Sequence, residues 1–537
     1  MSDQVLLKKA QQAQIIYEDL LKRFDIKGIP TTFVADPCRK EQFEKACHSD
    51  NPFPPPLSVT LKKKRVPAVT QLFQDEKILQ TPAIAAVLSA CSSVATEIGA
   101  LRGDDVMGAQ TVCDVAFAGM QAIRLYMANH NKGFAFTKSR MMSAIRVNNA
   151  FNGSFFKYKA KDGRDVSFHV YYQDQLNKLA AALPYSKPGT GYTMLSMSKD
   201  KKEMARVVSS FDALDLEERA FACGASGCMI RSRQEWEESE VGKAVLAMPL
   251  IRTNKEAESE IPNWGKPTKR GPLSGIKVLD LTHIIAGPAC SRILAEYGAD
   301  VLLVRRGIFN EQEQAMLEFD GWAGKNSIQL DFNIPQQLEK AKELIAQADI
   351  ITYSYQNGTL DKFGLSEADI RKLNPNVIYS DLMCFSDSVW KDRPGWAPLA
   401  EDITGLSVRN GSLEKPVNLN GVPLDYFPGF ILALGTLLAV SRKLKEGGGY
   451  HVTTSLTRGA QYLHECSDLC EQGGVEVNSS TVSQHTEQPV WNHVLLSVPN
   501  CAVGTAGFPT PATINTVYMP VLENMHFVDG QSDWVKK

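Results

Sequence analysis

Ile276-Lys277-Val278-Leu279-Asp280-Leu281 is followed by Thr282-His283-Ile284-Ile285-Ala286-Gly287-Pro288, an apolar run to Tyr297-Gly298, and then Asp300-Val301-Leu302-Leu303-Val304. The two apolar runs have strand length, and the stretch from about Pro288 to Tyr297 has helical length and closes on a glycine. Strand, helix and strand joined by short connections make a parallel βαβ unit. Leu338 to Ala348 and Ile350 to Tyr353 repeat the alternation, and Val377 to Leu382 supplies another strand. The fold class predicted is α/β: a Rossmann-like parallel sheet, accompanied by a smaller α+β domain.

Outward from this unit the chain changes character. Upstream, Thr253 to Gly275 (TNKEAESEIPNWGKPTKRGPLSG) is polar and rich in Pro and Gly, as a surface linker is, which puts a boundary near 265–272. Further back, Asp162-Gly163 reads as a tight turn entering a strand, because Asp-Gly readily takes positive φ. The small apolar run from Thr81 (TPAIAAVLSACSSVATEIGAL) reads as a buried helix. Asn51 to Pro56 (NPFPPP) is a loop or spacer, and the first two dozen residues form an amphipathic helix. The divisions expected are 1–80, a helical extension and Pro-rich loop; 81–265, including the small domain; 271–470, the Rossmann-like domain; and 471–537, a tail.

Composition narrows the function. The 537 residues are too many for one small module, and 44% hydrophobic with 22% charged is ordinary for a globular chain with a sizeable core. Lys plus Arg (58) nearly cancels Asp plus Glu (60), so no bulk field draws the chain to nucleic acid or an anionic membrane. Eleven cysteines without a repeated spacing fit reduced thiols in a cytoplasmic protein. Cys466 and Cys470 beside His464 supply too few ligands for zinc, so no metal is expected. The N-terminus lacks the apolar core of a signal peptide, no segment approaches the length needed to span a bilayer, and the C-terminus carries no peroxisomal or prenylation signal.

The first strand-to-helix turn has no G-x-G-x-x-G, which argues against a dinucleotide. Arg305 and Arg306 stand where an NAD-binding unit wants a carboxylate; they suit a phosphorylated ribose or simply end a solvated strand. Residues Ile285, Ala286 and Gly287 open a helix whose first N–H groups attract anions.

These residues together resemble a known family. Pro272 to Leu281, Ala286-Gly287-Pro288, Glu296 to Val301, Lys325 to Asp331, Leu360 to Leu365, Leu373-Asn374-Pro375 and Arg393-Pro394-Gly395-Trp396 follow in the order of the class III coenzyme A transferases, CaiB/BaiF. The resemblance spans about 271 to 465. It implies a CaiB/BaiF-like fold, an interlocked homodimer, and no permanently bound cofactor, with a coenzyme A thioester as substrate. It also implies an acyl-CoA donor, a carboxylic acid acceptor, and Asp425, in Val422 to Gly429 ahead of a helix from Phe430 to Lys443, as the catalytic nucleophile. Local sequence alone favours Asp425 as a helix cap, held ionised by N–H groups and the dipole; the resemblance reverses that order. Lys325, Gln356 and Asn357, with Ile285, Ala286, Gly287, Arg305 and Arg306, are the residues it points to for coenzyme A.

Two departures qualify the resemblance. The arginine of the family's phosphate-binding loop is replaced in Ser354-Tyr355-Gln356-Asn357-Gly358, and residues 81–255 resemble what normally follows the catalytic helix yet precede the sheet. Pro82 to Leu101 followed by Thr111 to Ala118 also echoes Pro428 to Leu444 followed by His451 to Arg458, without a second aspartate. An α-methylacyl-CoA racemase is the competing enzyme reading. Gly395 to Asp402 carries no histidine for it, leaving Glu401 and Asp402 as substitute acids or as dipole-favoured surface residues. A silent CoA-binding or assembly protein is the third reading.

Overall fold

The computed structural model describes residues 2–34, 76–107, 109–123, 157–170, 173–184, 201–268, 270–306, 321, 324–386, 389–419, 422–477, 512–515 and 526–527. The described strands form three sheets. β1 (Thr31–Val34), β2 (Gln110–Asp114) and β13 (Ala512–Asn515) make one; β3 (Lys157–Lys159), β4 (Asp165–Phe168) and β5 (Gly227–Met229) make another. The largest has eight strands: β6 (Arg252–Ala257), β7 (Lys277–Leu281), β8 (Asp300–Arg306), β9 (Asn326–Leu330), β10 (Ile350–Tyr353), β11 (Ile378–Met383), β12 (Gly449–Ser455) and β14 (His526–Phe527).

In that sheet β9, β8, β7, β10, β11 and β12 are neighbours in this order and all parallel. Numbered along the chain from β7, this is the Rossmann order, in which the winding reverses between the first and fourth strands. The switch point lies between β7 and β10, paired from Ile350 with Val278 to Tyr353 with Leu281. The strands read as continuous apolar runs because helices cover both faces. Leu279, Leu302, Ile328 and Ile351 pack under helix Pro335–Gln347, while Val278, Val301, Ile350 and Ile378 join the other core, with helices Ala286–Glu296 and Pro423–Glu446.

Antiparallel β6 completes one side of the sheet against β12. This corrects the expectation of a linker there: Arg252–Ala257 is a half-exposed strand whose polar sequence carries no core signal, and it joins the sheet from before the expected boundary at 265–272. The turn at Asp162-Gly163 is as expected, with Gly163 at φ +79° between antiparallel β3 and β4. This small sheet and helices Lys201–Val208 and Ala213–Ala222 enclose their own core around Phe168, Leu179, Val207 and Leu216.

Helix Gln80–Leu101 is buried along nearly its whole length and packs on helix Pro423–Glu446 and on the N-terminal helix Ser2–Arg23. Both of these apolar helices are long enough to cross a membrane, contrary to the expectation that no segment is, but 83% and 89% of their apolar windows lie inside the fold. The echo between the two chain segments has a structural counterpart. β2 has a parallel neighbour in β1 and an antiparallel one in β13, as β12 has β11 and β6. The Pro-rich stretch 51–56 lies outside the described residues.

Candidate active site at the switch point

Ligands of open α/β sheets bind beyond the carboxyl ends of the strands where the winding reverses. Here those ends are Leu281 and Tyr353, and the segments leaving them interlock. The backbone N–H of His283 donates to Ser354 Oγ (3.0 Å), and the His283 ring stacks on Tyr355 with centroids 4.2 Å apart and planes 3° from parallel. Burial pushes the His283 imidazole down to about 4, so it is neutral at pH 7. Gly287 is fixed by close approach: a Cβ there would stand 2.5 Å from Thr282 Cβ and 2.7 Å from Ser354 Oγ. Ile284 takes φ +65°, a left-handed conformation that costs a β-branched residue about 1–3 kcal/mol and is typical of functional turns.

The expected helix start is close to what is observed, with Ile285 as the residue before helix Ala286–Glu296. Its first turn carries no acidic side chain to repel an anion.

Helix Pro423–Glu446 begins earlier than the sequence suggests, because Pro428 reads as a breaker yet lies inside it. Asp425 is therefore a first-turn helical residue and not the cap, which is Val422. Asp425 and Gly429 share a face of this helix, four residues apart. Gly429 lies directly against the Ala286 carbonyl, where a Cβ has no room. The start of the Asp425 helix is thus joined to the helix start that opens the crevice.

Asp425 keeps part of its surface open, yet the surrounding protein desolvates its carboxyl and pushes it up to about 7. No hydrogen bond or ion pair to the carboxyl occurs among the described residues. The expectation that N–H groups and the dipole hold Asp425 ionised is corrected: no N–H reaches its carboxyl among the described residues, and desolvation pushes it up.

Lys325 is not a coenzyme A ligand. Its side chain is fully buried, and its three donors are spent on Asp280 Oδ2 (2.8 Å), Ser291 Oγ (2.7 Å) and the Pro288 carbonyl (3.0 Å). It ties β9 to the helix beneath the crevice. Gln356 and Asn357 are exposed on the loop after β10, but their amides brace a neighbouring loop, donating to the carbonyls of Asp392 (2.8 Å) and Lys391 (3.2 Å). Arg305 and Arg306 end β8, and Arg305 is half-buried; the side chain of Arg306 lies outside the described residues.

Glu401 and Asp402 are buried in helix Ala397–Ile403 and are not surface residues. Burial pushes Glu401 up to about 8. No cluster of metal-ligating side chains occurs among the described residues, and the eight described cysteines are free thiols. Sequence reasoning passed over Ser354 and Tyr355 as partners of His283; only the pairing of β7 with β10 brings them together.

A Rossmann-ordered sheet whose switch point carries a helix start free of first-turn acids, with a desolvated aspartate on the neighbouring helix, defines the α/β class of the protein. Comparison with known proteins shows what part of the chain is similar to. Residues 273–492 match the model of CoA-transferase family III. An acyl-CoA transferase of Gibberella moniliformis is 32% identical over 263 residues, 47% of this chain and 46% of that protein. The succinyl-CoA–L-malate CoA-transferase beta subunit of Chloroflexus aurantiacus is 30% identical over 37% of this chain and 51% of its own length. The chain spans about half the length of the curated relatives it matches. A CAIB/BAIF family protein of Brucella suis of solved structure aligns over 39% of this chain and 59% of its own, with 24% identity and a TM-score of 0.35.

Proposed function

We propose that this protein is an acyl-CoA:carboxylate CoA-transferase in which Asp425 is the nucleophile. The observation that carries the reading is the placement of Asp425: first turn of its helix, desolvated, unpaired among the described residues, and joined through Gly429 and Ala286 to the switch-point crevice. The names of the relatives, an acyl-CoA transferase and a succinyl-CoA-dependent one, support an acyl-CoA donor.

The chemistry balances through two anhydrides. The ionised Asp425 carboxylate attacks the thioester carbonyl, a C–O bond forms, the C–S bond breaks, and coenzyme A leaves as thiolate. The thiolate attacks the aspartyl carbonyl, giving an Asp425–CoA thioester and releasing the donor acid as carboxylate. The acceptor carboxylate attacks that thioester, and the returning thiolate takes the new acyl group and restores Asp425. Each intermediate is an activated acyl derivative, so activation is conserved as long as water is kept out. The apolar surroundings that raise Asp425 to about 7 also strengthen its nucleophilicity once it is ionised. Coenzyme A needs no permanent cofactor beside it in this scheme, and a homodimer working in the cytoplasm is the setting we propose.

The transferase is favoured over the racemase by the helix that would carry the racemase base. Its buried acids are engaged, Glu401 by Asn418 and Leu419 and Asp402 by Lys157, and its start, Trp396-Ala397, offers no base. The test is transfer of coenzyme A from a panel of acyl-CoAs to isotopically labelled carboxylic acids, wild type against Asp425→Asn. Acceptor-CoA formed only by the wild type supports the reading. Deuterium uptake at the acyl α-carbon without transfer would replace it with the racemase.

A further inference from the structure

Glu401 is a buried acid that the proposed chemistry does not use, and it touches the chain segment that leads to Asp425. Its Oε2 accepts the backbone N–H of Leu419 (2.9 Å) and the side-chain amide of Asn418 (2.9 Å). The same Asn418 amide reaches Asp402 Oδ1 at 3.3 Å. Asn410 holds the other side of the strap through the carbonyls of Val417 and Asn418, each at 3.1 Å, and the Val417 N–H donates to the Ser407 carbonyl (2.8 Å). Just beyond Leu419 the chain reaches Val422, which caps the Asp425 helix, donates its N–H to the Ala122 carbonyl (3.3 Å) and accepts the Asp425 N–H (3.0 Å).

We propose that Glu401 is a positioning residue for Asp425, its Oε2 fixing the strap from which the Asp425 helix starts. This rests on the reading of Asp425 as nucleophile. A buried backbone N–H at Leu419 needs an acceptor, and Glu401 is the one supplied. Removing it lets the strap and the first helical turn shift, and displacement of a reacting group by about 1 Å costs on the order of 100-fold in rate.

The clamp sits among other titratable groups. Asp402 lies next to Glu401 on the same helix, with Lys157 of β3 2.7 Å from its Oδ1. Arg231, after β5, donates its backbone N–H to the Asp402 carbonyl (3.2 Å) and pairs its guanidinium with Glu217 (2.7 Å). His169, after β4, is pushed down to about 4 by burial and stays neutral, and the Cys228 thiol of β5 is pushed up and stays protonated. Lys157 is thus the cation that faces both acids. A protonated Glu401 still offers Oε2 as an acceptor. Burial pushes Glu401 up to about 8 and the N–H bonds from Leu419 and Asn418 oppose that rise, so the ionised carboxylate accepts the strap at least as firmly.

The experiment follows adduct formation on Asp425 by quenched-flow mass spectrometry, and amide hydrogen exchange over 418–425, in the full chain, for Glu401→Gln and Glu401→Ala. Gln keeps the acceptor and cannot ionise. It is expected to hold the adduct rate within about threefold of wild type at pH 7. Ala is expected to lower the rate about 10- to 100-fold with the KM for acyl-CoA within twofold, and to speed exchange over 418–425. Equal losses in Gln and Ala, a loss confined to KM, or unchanged exchange in Ala would overturn the proposal. Absence of any wild-type adduct overturns the nucleophile reading instead, and the exchange arm still decides whether Glu401 holds the strap.

Discussion

Gly429 and Ala286 lock two helices together: Gly429 on the helix of Asp425 lies against the carbonyl of Ala286, at the helix start that opens the switch-point crevice. A methyl group at 429 pushes the helices apart. Gly429→Ala should cost about 1–3 kcal/mol of stability by overpacking, measured by chemical denaturation, and should slow adduct formation on Asp425 by about 10-fold or more.

The pH dependence of the first step follows from Asp425. Only the ionised carboxylate attacks, so the adduct rate should rise with pH and level off above about 7. Stability runs the other way. An acid raised from its ordinary value near 4 to about 7 keeps its proton in the folded state over that window while the unfolded chain loses it, so stability falls as pH rises through the window. Asp425→Asn should remove that slope in Tm, measured by calorimetry between about pH 4 and pH 7.

Lys325 separates a structural role from a ligand role. Lys325→Ala leaves Asp280 buried without its cation and should destabilise the protein by about 3–5 kcal/mol, measured by denaturant unfolding. The affinity of the folded fraction for coenzyme A should change by less than twofold.

His283 reports on the crevice. Tyr355→Ala uncovers the imidazole, whose value should rise from about 4 towards its ordinary 6.5, followed by NMR titration.

The βαβ core was legible because strand, helix and glycine signals coincide from Ile276 to Val304, and a sheet covered on both faces leaves continuous apolar strands. β6 was not, since Arg252–Ala257 is half-exposed and its polar residues match those of a linker. Asp425 could be found by resemblance, but its helix start was hidden by Pro428, and its raised value depends on desolvation that no local pattern encodes. Lys325 was misread for the same reason: a lysine at a strand start looks solvated until Asp280, Ser291 and Pro288 are seen to surround it. Glu401 was noticed as one of two adjacent acids. Its role depends on Leu419, which only the folded strap brings to it.

The central claim is that Asp425 is acylated. The most direct test is peptide mass spectrometry after incubation with a panel of acyl-CoAs, with and without hydroxylamine, on wild type and Asp425→Ala. A covalent adduct on the Asp425 peptide, converted to the hydroxamate by hydroxylamine and missing in the variant, is the result predicted. Binding of coenzyme A with an unmodified Asp425 peptide for every donor would contradict it.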